Sequence, residues 1–592
     1  MQSTIGTAST KSWTPSQKAL FLGLLAVAVV SVPYLVPVKP SISLSYVVGF
    51  SNRTAVLLLV LGTALFAWVT RGEMAEMDAA DSTLSPATLY IWLCIVLAAC
   101  LIRWQLPAGR APGHDAVYFF NRLQMLAAGR APFQQFEFVY GPLLLYPSYW
   151  IMRLLHTSAK SGYYAWWTIQ WLIGTFMIWA LVRAMDFPIR RRNVLFGFLF
   201  LAQINAIMME GMNSGPFRSY CAAFVVYAAH WAWKRFGGAW ALPIAGLMAL
   251  CVAIACSVDQ AIGVAAGLAA YLLLLSVCRW PGSSWKGFFL FIAGCVVCFG
   301  LAARGSLLVS LSPFASGGFS FPILPSPSIL LVLFIYVVAG CLLVRCIYQK
   351  RLDSVVIPLT LAGCAMLPSA LGRCDMWHIV TARPAFVVGV AGIFAMSSIR
   401  RWWLPCAFLG ICIIPAMPVI SGHLGFIQRI AKVSSRKSPP ASAPVQLAAI
   451  DSSNGIVSHV ALTIDDIPCD RTYFTPVQIL PFEARMRPEC LDTGYYLDMW
   501  DVLTPDAIER KVDEMRQRPS EPLLLRTQSL EQQLPIQEDN IRILYLLELS
   551  FFVPPARHAP LSFDPVISYI RLHYVPGPIV SQGRLRVWYP AA

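Results

Sequence analysis

His114 and Asp115 follow Pro112-Gly113 and open a stretch, Ala116-Val117-Tyr118-Phe119-Phe120, that runs on to Gly129. Glu137 comes next, and Phe138-Val139-Tyr140-Gly141-Pro142-Leu143 closes this polar island between long apolar runs. Three further polar stations interrupt the apolar sequence. They are Glu210-Gly211-Met212-Asn213-Ser214-Gly215-Pro216-Phe217-Arg218, then Ser257-Val258-Asp259-Gln260, then Gly372-Arg373-Cys374-Asp375-Met376-Trp377-His378. Ionisable groups at membrane depth are costly and by default mark a functional site. An acidic residue such as Asp115 at a membrane surface is suited to work on a lipid-linked substrate.

Each residue also has a plain structural role open to it. Asp115 could cap the helix that it begins, accepting backbone N–H bonds. Asp115, Tyr118 and Arg122 fall on one helix face, which fits a wet cleft and equally a solvated surface. Arg218 could snorkel to lipid headgroups, and Asp259 could cap the helix after Ser257. Asp375 and His378, one helical turn apart, could be a hydrogen-bonded pair, a metal pair, or a cap with a neighbour. Glu137, between two phenylalanines, is either a turn carboxylate or a second acid.

The elements that must position these residues are membrane helices. The 592 residues are 57% hydrophobic and 13% charged, with a mean hydropathy of +0.62. Soluble domains carry about 25% charged residues. The chain is therefore expected to be a polytopic α-helical membrane protein, with about 13 spans of roughly 17–25 residues. The runs lie near 18–38, 54–70, 87–104, 162–182, 193–210, 217–234, 239–256, 260–279, 286–304, 328–347, 354–371, 379–399 and 402–421. The run 141–155 is shorter, starts with Gly-Pro, and reads as an interfacial or re-entrant helix. The first run is expected to be an uncleaved helix, since no small-residue cleavage site follows it.

The net charge of +15 does not point to nucleic acid, because the cations sit at the ends of apolar runs, where they set orientation. With a cytoplasmic N-terminus, the inner loops hold Arg183, Arg190 to Arg192, Lys234-Arg235, Arg279, Lys286, Arg345, Lys350-Arg351 and Arg400-Arg401. Counting 141–155 as a span would put the Arg190 cluster on the wrong side. The four polar stations then share the outer side, with the loop 105–161 carrying the first.

The membrane domain is read as 1–424. Residues 425–445 form a linker rich in Ser and Pro. Residues 446–592 form a small extracytoplasmic α/β domain. In it Thr504 and Pro505 start a helix with Ile508, Val512 and Met515 on one face. Alternation predicts strands at Ile541–Tyr545 and Arg584–Tyr589. Most of the 16 cysteines lie in apolar runs as small hydrophobes. Cys469 and Cys490 are the exceptions and could pair outside the cytoplasm.

An Asp in the first large outer loop, an aromatic helix ending in Gly, then Tyr-Gly-Pro-Leu before a half-buried helix resembles the GT-C superfamily of membrane glycosyltransferases. The Gly-Arg-x-Asp-x-x-His segment at 372–378 resembles one seen in many bacterial members. The likeness covers roughly residues 87–400 and rests on arrangement and short motifs. It implies a polyprenyl-phosphate-linked sugar as donor, with Asp115 as the catalytic acidic residue. Asp115 would take the acceptor proton or bind a divalent cation. The chain departs from the family in having His114 before that Asp, and it lacks the Asp-Glu pair of protein mannosyltransferases, so the acceptor (glycan, lipid or protein) is left open.

Such a reaction needs cations where the leaving phosphate gains charge. Arg218 and Arg373 are the candidates, with His378 as a further donor. His114, Tyr118, Glu137, Tyr140, Asp259 and Asp375 are expected to support the site. If a metal takes part, Asp115 with Glu137 or Asp375 offers hard oxygen ligands for Mg²⁺ or Mn²⁺. Three other classes compete: a lipid-linked glycan transporter or flippase, a glycan polymerase or ligase, and a non-catalytic assembly subunit. Transport is disfavoured because no clear paired repeat is visible and the charges collect at one boundary.

Overall fold

The computed structural model describes residues 13–37, 51–70, 83–105, 114–134, 136, 138–189, 191–202, 211–213, 215–311, 327–372, 384–396, 472–475, 491–492, 505–527, 564–580, 585–591. These residues are mostly helical. The first helices are α1 (Pro15–Ser31), α2 (Asn52–Thr70), α3 (Pro86–Gln105), α4 (His114–Ala127), α5 (Tyr146–Leu154), α6 (Ala159–Ala184) and α7 (Arg192–Leu201). After a single turn at Pro216–Ser219 come α8 (Cys221–Phe236), α9 (Ala241–Cys256), α10 (Val258–Val277), α11 (Trp285–Arg304), α12 (Pro327–Tyr348), α13 (Val356–Gly372) and α14 (Pro384–Met396).

Local chemistry explains where these helices begin and end. Thr14 and Gln17 form a reciprocal capping box in front of α1, satisfying two backbone donors at once. Helix α4 ends where Gly129 adopts φ +87°. There Gly129 N–H donates to Leu126 O at 3.0 Å and Arg130 N–H to Met125 O at 3.1 Å. This is a Schellman closure, which glycine enters without steric cost.

Among the described residues five helices are long and apolar enough to cross a membrane: Ser16–Leu35, Arg53–Thr70, Ala159–Ala184, Val258–Val277 and Trp285–Arg304. Six more apolar stretches of 10–17 residues, such as Ala241–Cys256 and Val356–Leu367, are shorter. The expectation of 13 spans thus stands only in its coarser form, a mostly helical chain with several candidate spans. Run 402–421 lies outside the described residues, and run 193–210 is described as helix only to Leu201. The segment 141–155 forms a 3₁₀ turn, Pro142–Leu144, and the nine-residue α5. At 1.5 Å per residue α5 is about 14 Å long, too short to span.

The apolar helices pack through small residues. A Cβ on Gly267 of α10 would lie 2.3 Å from Ala362 Cα of α13, so these two backbones touch, as small residues permit.

The C-terminal part holds a five-stranded sheet of β1 (Tyr473–Phe474), β2 (Leu491–Asp492), β3 (Leu523–Arg526), β4 (Tyr574–Val580) and β5 (Leu585–Pro590). The order is β2-β1-β3-β5-β4. β1 pairs in parallel with β2 and β3, while β5 runs antiparallel to β3 and β4. Two helices, α15 (Pro505–Arg516) and α16 (Asp564–His573), bring Val512, Met515, Val566 and Ile570 onto Phe474, Leu523 and Leu525. The helix expected from Pro505 and the strand expected before Tyr589 are both present. Ile541–Tyr545, Thr504, Cys469, Cys490 and the linker 425–445 lie outside the described residues, as does the Ile508 side chain.

Candidate functional site

Helix α4 carries the first polar station. It starts at His114, so Asp115 is its second residue and the cap position falls before it. The side chains of His114 and Asp115, and all of Glu137, lie outside the described residues. Seven residues after Asp115 on α4, Arg122 is 0% exposed, with its guanidinium 4.6 Å from the centre of the Tyr118 ring. Arg122 is therefore buried and Tyr118 half-buried, which does not fit a fully solvated surface at these two positions.

Tyr118 is fixed at both ends. Its hydroxyl accepts from Val139 N–H at 3.1 Å, and its ring stacks on Phe138 and meets Tyr140 edge-on. Phe119 stacks on Tyr140 at 5.5 Å. Such rings are rigid at little entropic cost and each adds roughly 0.5–1.5 kcal/mol beyond its burial. They lock the Tyr140-Gly141-Pro142 turn to α4.

The same turn docks on the end of α9. Gly141 N–H donates to Cys256 O at 3.0 Å. A Cβ at Gly141 would lie 2.2 Å from Ala255 O, so no larger residue fits this approach. The next residue along, Ser257, is the N-cap of α10, and Asp259 lies in its first turn. The first and third polar stations are thus joined through backbone.

Arg218 brings in the second station. One of its terminal nitrogens lies 3.6 Å from Asp259 Oδ2, and both side chains are about nine-tenths buried. Its guanidinium sits 4.9 Å from the centre of the Tyr140 ring. Gln260 holds the Arg218 carbonyl, and Ser257 donates its hydroxyl to Asp259. Arg218 is therefore turned inward, not snorkelling to headgroups, and Asp259 makes an ion pair where a cap was one expectation. The α10 cap makes no side-chain hydrogen bond to the helix N-terminus.

The guanidinium is poorly filled. Charge-assisted N–H···O bonds run at about 2.7–2.9 Å. Arg218 reaches Asp259 at 3.6 Å and Asn213 O at 3.5 Å, and its buried Nε has no hydrogen-bond partner. The desolvated cation therefore keeps hydrogen-bonding capacity in reserve.

The described part of the station also reaches well along α6. The turn packs on α6 at Gly174, where a Cβ would be 2.0 Å from Pro216 Cβ. Gly174 is roughly 22 Å from the start of α6, at 1.5 Å per residue. Gln170, one helical turn before Gly174, faces the same loop: its Nε2 donates to Met212 Sδ at 3.3 Å. Gln170 escaped the sequence reading because it is a single amide in a long aromatic run. A buried amide inside an otherwise apolar helix was the signal available.

Arg373, Asp375 and His378 lie outside the described residues. Among the described residues no three His, Cys, Asp or Glu side chains gather as a metal site. The candidate ligands Asp115 and Glu137 lie outside that description. Comparison with protein-family models, with curated proteins and with solved structures gives no match for this chain.

Proposed function

We propose that the chain is an inverting membrane glycosyltransferase, taking sugar from a polyprenyl-phosphate-linked donor to an acceptor on the outer face of the membrane. The observation that carries this reading is the buried, underfilled Arg218 beneath the Tyr140 turn. A donor phosphate would replace or share Asp259 on Arg218 and fill the guanidinium bidentately. The acceptor hydroxyl attacks the anomeric carbon as the bond from that carbon to the phosphate oxygen breaks. The polyprenyl phosphate leaves with one more negative charge, which Arg218 stabilises; Arg373 and His378 are assigned to the same charge from sequence. The acceptor proton passes to Asp115, which lies on the helix that Tyr118 ties to the turn. In a metal-assisted variant, Asp115 and Glu137 would instead hold the cation. The resemblance to the GT-C superfamily supports the same reading.

The test is transfer by the purified protein in lipid nanodiscs, given a panel of polyprenyl-phosphate sugars and membrane extract as acceptor source. The parent releases polyprenyl phosphate and labels an acceptor. Asp115→Ala lowers the rate by about 10²–10⁴-fold, the usual worth of a positioned general base. A mutant that matches an active parent removes Asp115 from catalysis. A parent that moves the lipid-linked sugar across liposomes without cleaving it is a flippase instead.

A further inference from the structure

Three buried polar atoms around one turn have no hydrogen-bond partner: Gln170 Oε1, Asn213 Oδ1 and Arg218 Nε. Buried polar atoms are nearly always satisfied, and each exception calls for an explanation. Leaving one buried and unmet costs about 1–3 kcal/mol, so three around one turn is a large local debt.

Their placement is shared. Asn213 and Arg218 belong to the Met212–Arg218 turn, and Gln170 of α6 lies against it. Gln170 is 1% exposed, and its amide nitrogen is engaged by Met212 Sδ, which fixes its carbonyl oxygen as the outstanding group. Gly215 lies beside that oxygen: a Cβ there would sit 3.6 Å from Gln170 Oε1, in ordinary contact, and a tighter 3.2 Å from Met212 O.

The chemistry of the three atoms selects a ligand class. Gln170 Oε1 and Asn213 Oδ1 accept, while Arg218 Nε donates and carries charge. A simple anion would suit Arg218 but bring no donors for the two amide oxygens. A metal cation would suit those oxygens and be repelled by Arg218. A phosphodiester that carries a polyol meets all three demands, with its phosphate on Arg218 and its hydroxyls on the amides.

We infer that Gln170, Asn213 and Arg218 form a subsite for a polyol-bearing phosphodiester, in which Gln170 reads the hydroxyls. This deepens the transferase proposal and rests on its placement of phosphate at Arg218. Two lipids share the required chemistry: a glycosyl phosphoryl polyprenol, and a phospholipid with a hydroxylated headgroup.

Binding is measured with the full chain in phosphatidylcholine nanodiscs, by native mass spectrometry. The probes are farnesyl phosphate, farnesyl-phosphate esters of glucose, galactose, mannose and arabinose, and phosphatidylglycerol and phosphatidylinositol. The parent holds at least one polyol probe more tightly than farnesyl phosphate. Gln170→Met keeps side-chain length, removes the acceptor, and erases about tenfold of that preference, the worth of one well-made buried hydrogen bond. Its affinity for farnesyl phosphate is unchanged. Asn213→Ala, on the turn and outside the helix, gives the same loss if Gln170→Met fails to fold.

The inference is overturned if the parent holds all polyol probes no better than farnesyl phosphate, or if both variants keep the parent's preference. In either case the three atoms hold water alone. Retention of phosphatidylglycerol or phosphatidylinositol with rejection of every sugar ester leaves the subsite standing and removes the glycosyl donor. Loss of transfer with the sugar preference intact removes only the enzyme reading.

Discussion

Taking the charge from Asp259 would leave Arg218 buried with neither counter-ion nor close acceptor among the described residues. Breaking a buried pair on one side typically costs about 3–5 kcal/mol, because the remaining charge stays desolvated. Asp259→Asn should therefore lower thermal stability in detergent by about that much. Adding farnesyl phosphate should restore more stability to the variant than to the parent, since a ligand stabilises in proportion to its affinity for the folded state. An equal shift in both proteins would remove Arg218 as the anion site. Sequence reading found both residues but left each with a structural role of its own. Nothing local to 210–218 or 257–260 shows that the two stations meet; Gly141 and Gly174, far away in sequence, decide it. The helix face of Tyr118 and Arg122 was left open between a wet cleft and a solvated surface for the same reason: Phe138 and Tyr140, which pack on Tyr118, come from beyond the helix. Gln170 was passed over because one amide in an aromatic helix carries no spacing signal.

At the scale of elements, the site depends on two close approaches. Gly141 and Gly174 both have ordinary negative φ, so their role is spacing. Adding a methyl at either should shift the backbone that carries Tyr140 or Arg218, at roughly 1–3 kcal/mol for overpacking. Gly141→Ala meets the backbone oxygen of Ala255, which cannot turn away; Gly174→Ala meets the ring of Pro216. Gly23→Ala on α1 is the control, with nothing within 4 Å; it should be neutral or stabilising by about 1 kcal/mol, as alanine is the better helix former. Thermal unfolding and donor binding should fall together for the first two and not for the third. Equal behaviour of all three would mean that the turn is not seated as described. The helices themselves were legible, since apolar length, the Gly-Pro start of 141–155 and the Gly129 stop each have a local cause. The sheet was half legible. β5 alternates and was expected, whereas β1 is two residues, Tyr473-Phe474, with no period to read, so the parallel pairing of β1 with β2 and β3 left no trace in sequence.

Across the described part of the molecule, four of the loops that the charge rule assigned to the cytoplasm meet one another. Lys234 at the end of α8 bonds Asp353 at 2.8 Å, and this hydrogen bond holds the Asp353 carboxyl below its usual range. Arg351 lies 3.7 Å from Asp186. Trp233 donates to Gly282 O, and Arg192 donates to the carbonyls of Val182, Met185 and Phe187. Loops near 186, 237, 282 and 352 thus gather at one end of the helices. Helix α8 runs from Cys221, just after Arg218, to this cationic end, and α10 runs from Asp259 toward it. The Arg218–Asp259 site and the cationic loops therefore occupy opposite ends of the same two helices. If the cationic end is cytoplasmic, as Lys and Arg usually are, the site lies toward the outer face, and the C-terminal sheet lies outside too if the run 402–421 crosses the membrane as the sequence predicts. Alkaline phosphatase, which folds only after export, reports this directly. Fused after residue 440 in the linker, it should be active in a bacterial host. Fused after residue 237 or 282, it should be inactive. Activity at 237 and 282 with none at 440 would invert the protein, place Arg218 on the cytoplasmic side, and remove an outer-face polyprenyl-phosphate donor from consideration.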